Sequence, residues 1–171
     1  TFFTPDKIEH EGFRVGFAGR ISNVKRTHIL DALKYPVIKQ TEWGMDFFKE
    51  DRSLEPMKKF YNSIDVLILV SRTEAMPRVV LEAMACGTPV AAYPVDGPLE
   101  VLGSPASGGA LHQDLLSAWY ASLVIPRHVA RARARAFSWT HATQVFATHL
   151  VSARKDLPLD RDPVFHAPVT Q

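Results

Sequence analysis

Two glutamates with seven residues between them, Glu74 and Glu82, bracket a proline in the run Ser71-Arg-Thr-Glu-Ala-Met-Pro-Arg-Val-Val-Leu-Glu-Ala-Met-Ala-Cys-Gly-Thr-Pro-Val90. The pattern predicts a helix over 77–85, with proline in its first turn and Gly87 just past its end. A helix start carries free N–H groups and the positive end of the dipole, so the backbone near Met76, Pro77 and Arg78 can hold an anion. A carboxylate on either side can accept hydrogen bonds from the hydroxyls of a sugar or a ribose. Glu82 is a strange choice between Leu81, Ala83, Met84 and Ala85. The plainer alternative is one glutamate favoured by the helix dipole and a second on the wet face of the helix.

A second cluster is Gly19-Arg20 followed by Lys25-Arg26. Glycine at the end of a strand lets the backbone approach a ligand closely. Two cations converging across a turn suit a diphosphate, arginine as a bidentate fork and lysine as a compact charge. The alternative is a solvated basic loop.

These residues need elements that place them together. Arg14 to Arg20 reads as a short buried strand, 25–34 as a helix, 36–41 as a strand, and 53–64 as a helix capped by Ser53. Asp65-Val-Leu-Ile-Leu-Val-Ser71 is the clearest strand. Its unbroken aliphatic run implies burial on both faces, the mark of a parallel sheet covered by helices. A strand over 89–93, a short helix over 97–102 and an edge strand at 109–111 follow. The chain from 113 to 155 reads as helical with breaks at Pro126 and near Ser138, Phe137, Trp139 and Phe146 being assigned to the core. Alternating strands and helices define an α/β protein with a parallel sheet. Such sheets bind ligands at the carboxyl ends of their strands, here the loops 19–26, 71–78 and 93–98.

The run from Glu74 through Glu82 to Ala92 resembles the motif of family-four (group 1) retaining glycosyltransferases. Phe60-Tyr-Asn-Ser-Ile-Asp-Val is similar to the segment that family places before it, and Gly19-Arg20 with Lys25 resembles its phosphate-binding residues. Phe2-Phe-Thr-Pro-Asp6 resembles its interdomain linker, and Ala136-Phe-Ser-Trp139 the start of its C-terminal helix. The resemblance implies a Rossmann-like parallel sheet flanked by helices, with a C-terminal helical segment. It implies that the chain is the donor-binding half of a two-domain enzyme, its N-terminal acceptor domain missing. Residues 1–13 are then linker-like, 14–155 bind the nucleotide sugar, and 156–171 form a flexible tail. Glu74 would contact the sugar hydroxyls and Glu82 the ribose hydroxyls. Arg20 and Lys25 would neutralise a UDP- or GDP-type diphosphate, aided by Gly19 and the backbone at Met76, Pro77 and Arg78. No metal and no cofactor besides the substrate is implied. A second reading, a non-catalytic module that keeps the fold, rests on Ala75 in place of a common glycine and on the short stretch between Arg20 and Glu74.

Composition agrees with a folded domain: 171 residues, 46% hydrophobic and 22% charged, with 12 prolines and a single cysteine. Cys86 cannot form an internal disulfide, which favours a cytoplasmic setting. The start of the chain has neither a methionine nor a signal-peptide core and reads as a cut or processed end. A net charge of +2 gives no argument for nucleic acid. Arg127, Arg131 and Arg135 lie four apart on one helical face, Arg133 elsewhere. That face reads as solvated, with peripheral membrane contact the next possibility.

Overall fold

A computed structural model describes residues 2–19, 25–31, 37–40, 54–103 and 105–150. The chain divides into two units, Thr1–Phe137 and Ser138–Gln171. The described residues of the first hold five parallel strands in the order β2-β1-β3-β4-β5. These are β1 (Val15–Ala18), β2 (Val37–Gln40), β3 (Val66–Leu69), β4 (Val90–Ala92) and β5 (Gly109–Leu111). Among the described residues six helices accompany them: α1 (His28–Asp31), α2 (Glu55–Asn62), α3 (Arg78–Ala85), α4 (Asp96–Leu102), α5 (Leu115–Ser122) and α6 (Arg127–Arg135). Ser53, read as the cap of α2, lies outside the described residues, as does the predicted tail 156–171. So does the whole 42–52 stretch, which gave no secondary-structure assignment.

The aliphatic run of β3 sorts by parity. Leu67 and Leu69 join a core with Phe60, Tyr61, Val80, Met84 and Ala130, from α2, α3 and α6. Val66, Ile68 and Val70 face the opposite way, into a core with Phe17, Leu30, Leu115 and Trp119. Period two on a strand buried on both faces gives one core per sheet face.

Helix α6 lies close on α3 because small residues permit it. Ala130 and Ala134 are buried, and Gly108, at φ +78°, has the Ala130 Cα only 3.0 Å from where a β-carbon would stand. The arginines of α6 do not form the simple solvated face expected of them. Arg127 turns inward and donates to the carbonyls of Ile64 (3.2 Å) and Cys86 (3.0 Å) and to Thr88 Oγ1 (3.0 Å). Arg133 donates through Nε to the Val101 carbonyl at the end of α4 (2.7 Å) and lies over the Phe137 ring. A long apolar stem lets arginine cover a surface while its head finds carbonyls that the helices leave open.

Cys86 ends α3 fully buried. Burial pushes its thiol up to about 11, against the opposing pull of Arg127. Thiolate is the reactive form, so the native protein is expected to resist iodoacetamide at pH 8 and to react fully only once unfolded. Rapid labelling of the native protein would show the core opening at α3.

The segment before β1 is tied to α2 by Asn62. Its side chain accepts from the Asp6 amide (2.8 Å) and donates to the Thr4 carbonyl (3.1 Å), and its own carbonyl accepts from the Ile8 amide (3.0 Å). In the second unit, α7 (Trp139–Thr148) is capped by the Ser138 side chain accepting from the His141 amide (3.1 Å). Phe137 packs partly buried against the core as expected, but Trp139 and Phe146 are exposed. The assignment of these two to the core is corrected: α7 buries none of its residues. Among the described residues no helix is long and apolar enough to cross a membrane.

Candidate functional site at the switch point of the sheet

The strand order turns back at β1, which pairs with β2 on one side and β3 on the other. In open parallel sheets the chain leaves such neighbouring strands in opposite directions, and a crevice opens at their carboxyl ends. The loop after β1 begins at Gly19, whose φ of +142° favours glycine. The loop after β3 begins at Ser71, whose buried hydroxyl bonds to none of the described groups. Such an unmet hydroxyl costs about 1–3 kcal/mol and asks for an explanation where it occurs.

Across this crevice, Lys25 Nζ pairs with Glu74 Oε2. The side chains are 29% and 16% exposed, so the pair is sheltered yet reachable from solvent. The structure thus brings together two residues that stand 49 positions apart in sequence. Arg20, the other predicted phosphate contact, lies outside the described residues. Next to Lys25, Arg26 sits at φ +51° with its guanidinium 4.9 Å from the centre of the Tyr93 ring, at the end of β4.

Glu74 is positioned through its backbone. The Gly97 amide at the start of α4 donates to the Glu74 carbonyl at 2.7 Å. A β-carbon at Gly97 would press into that oxygen and stand 2.7 Å from the Ala75 carbonyl oxygen. Beside this clasp, Arg72, Glu74, Ala75, Pro94, Asp96 and Glu100 line an open cleft of about 620 Å³.

Pro77 is the N-cap of α3, and no side chain caps that helix. Met76 and Arg78 are exposed at this end, while Pro77 is buried. Glu82, one turn further along, is not on a wet face: only 8% of it is exposed. Its Oε2 accepts from the Tyr61 hydroxyl at 2.9 Å, and its Oε1 faces Arg78 at 3.4 Å. Burial, and secondarily the Glu82 charge, raises the Tyr61 phenol well above its ordinary pKa, so it remains a donor. In the sequence Tyr61 stands within the helix over 53–64 and the Phe60–Val66 stretch, with no partner assigned to its hydroxyl. The clue was available, since a tyrosine on a buried face must find a partner for its hydroxyl. Gly97 was equally missed, because nothing in the chain around it indicates what approaches it.

A five-stranded parallel sheet with helices on both faces is of the Rossmann-like class. Residues 44–114 match the family model described as "Glycosyl transferases group 1". Among curated proteins, the chain is 26% identical over 153 residues to a D-inositol 3-phosphate glycosyltransferase of Mycolicibacterium gilvum, covering 85% of this chain and 29% of that protein. It is 41% identical over 54 residues to an uncharacterised glycosyltransferase of Methanocaldococcus jannaschii, covering 32% of this chain and 14% of that protein. The chain therefore spans less than a third of either relative. In fold it is similar to the crystal structure of the C-terminal domain of a glycosyl transferase group 1 family protein (LpcC) from Francisella tularensis. The TM-score is 0.52 at 18% identity, over 78% of this chain and 94% of that one. The chain is thus similar to group 1 glycosyltransferases over residues 44–114, and in fold to the C-terminal domain of one of them. The matched region contains both Glu74 and Glu82, while the basic loop after β1 lies before it.

Proposed function

We propose that this domain is the donor-binding half of a retaining glycosyltransferase, taking a UDP- or GDP-type nucleotide sugar and completed by an acceptor-binding domain. The observation that carries this reading is the Lys25–Glu74 pair across the switch point. A nucleotide sugar would meet both of its members, the diphosphate replacing Glu74 beside Lys25 and the sugar hydroxyls replacing Lys25 beside Glu74. Glu82 would accept from the ribose hydroxyls. As the glycosidic bond breaks, charge develops on the departing diphosphate, and Lys25, Arg20 and the uncapped start of α3 stabilise it there. In this reading side chains supply the neutralisation that a metal could otherwise give, so binding should survive a chelator.

Titration calorimetry against a panel of UDP- and GDP-sugars tests it. One ligand is expected to bind, with EDTA making no difference. Glu74→Ala and Lys25→Ala should each weaken binding about 10- to 100-fold, the range for a lost hydrogen bond to a charged group. If binding is unchanged in both variants, the site is misplaced. Silence across the whole panel would favour the module that keeps the fold without the chemistry.

A further inference from the structure

The two partners of Glu82 differ in kind. Tyr61 is fully buried, and α2 and α3 hold it in place. Thr88 Oγ1 donates to its carbonyl at 2.6 Å, while the rings of Phe3 and Phe60 stand at 5.8 and 5.4 Å between centroids. Its hydroxyl therefore arrives at Glu82 Oε2 from a fixed direction. Arg78 approaches Oε1 at 3.4 Å from a side chain that is 70% exposed. That contact is long and open to water, and exposed ion pairs of this kind contribute little.

The direction of the carboxylate follows from the helix. Side chains on a helix lean toward its N-terminus, and Arg78 lies one turn nearer the start of α3 than Glu82. Oε1, the oxygen facing Arg78, is thus the one turned toward the crevice end. An apolar pair of similar volume would fill the space between α2 and α3 at least as well as a tyrosine and a glutamate. Packing alone does not account for the pair.

We propose that Tyr61 is a positioning residue for Glu82, locking Oε2 so that Oε1 can exchange Arg78 for the ribose hydroxyls of the nucleotide. This rests on the reading of Glu82 as the ribose contact. A carboxylate oxygen has two lone-pair directions, so the exchange needs no movement of the buried half of the group. Arg78 would swing on its exposed stem, while Tyr61 stays where it is. Discrimination between ribose and deoxyribose would then depend on a side chain that touches neither.

The test compares the affinity for UDP or GDP, whichever binds, with that for its 2′-deoxy counterpart. Wild type, Tyr61→Phe, Glu82→Gln, the double variant and Arg78→Met are measured by calorimetry, with melting temperatures recorded. The wild-type protein should prefer the ribonucleotide by about tenfold, one hydrogen bond to a charged group. Tyr61→Phe keeps the ring and removes only the hydroxyl. It should lose most of the preference, and the double variant should fall no further than Glu82→Gln. Arg78→Met should keep the ratio of the two affinities, whatever happens to each. If Glu82→Gln loses the preference and Tyr61→Phe retains it, Tyr61 is only structural and the proposal is wrong. Should Tyr61→Phe fail to fold, Arg78→Met still decides: a ratio collapsing as far as in Glu82→Gln would make Arg78 the residue that holds the carboxylate. If Glu82→Gln itself keeps the preference, the ribose reading of Glu82 fails first, and this proposal with it.

Discussion

A protein carrying Gly97→Ala is expected to remain folded and to lose nucleotide-sugar affinity by roughly a hundredfold. Gly97 does not need glycine for its backbone angles, since its φ is not in the left-handed region. The constraint is steric: a methyl group there would press into the Glu74 carbonyl oxygen and lie 2.7 Å from that of Ala75. Both obstacles are backbone, so no rotamer change relieves them. The loop must move away from α4 and give up the Gly97–Glu74 hydrogen bond (2.7 Å). Overpacking of this kind costs about 1–3 kcal/mol of stability. The larger effect falls on binding, because a displacement of about 1 Å in a positioned group can cost about a hundredfold. Chemical denaturation and calorimetry on the same sample separate the two. Affinity within twofold of wild type would mean that the Glu74 loop is not positioned by this clasp.

Arg127→Ala is expected to produce the largest loss of stability, about 3–5 kcal/mol, without touching the crevice. The guanidinium serves three acceptors from three places: Ile64 after α2, Cys86 at the end of α3 and Thr88 before β4. Truncation leaves partly buried carbonyls unsatisfied, at about 1–3 kcal/mol each. It also removes a stem packed on Gly87, where Arg127 Nε lies 3.5 Å from the position a β-carbon would take. For a protein of this size the loss should lower the melting temperature by about 6–20 °C. Arg127→Lys should recover only part, since an ammonium lacks the planar fork that spans separated acceptors. An unchanged urea midpoint in Arg127→Ala would show that α6 is not held by this residue. Burial disfavours the charged guanidinium, and the Asp65 carboxylate opposes that shift.

Most elements were legible because their signals are local. The aliphatic run of β3 implied two buried faces, and the parity of its contacts bears this out. Pro77 and Gly87 marked α3 because proline suits a helix start and Gly87 takes φ +81° beyond its end. The weaker readings concern what a side chain meets in space. Arg127, Arg131 and Arg135 formed a plausible wet stripe by spacing alone, yet the first of them bonds inward. Trp139 and Phe146 looked like core by composition, and their helix buries neither.

The site divides along the same line. The sequence by itself determined the Glu74–Glu82 spacing, the basic loop after β1 and the alternation of strands and helices, because each is written within a few turns of chain. Only the tertiary structure decided that Lys25 meets Glu74, that Tyr61 holds Glu82, and that Gly97 clasps the loop between them. These are contacts between residues from 21 to 49 positions apart for the first two pairs. The first depends on β1 lying beside β3 and the third on β3 lying beside β4, and strand order is set by the packing of both faces at once. No local propensity encodes that order.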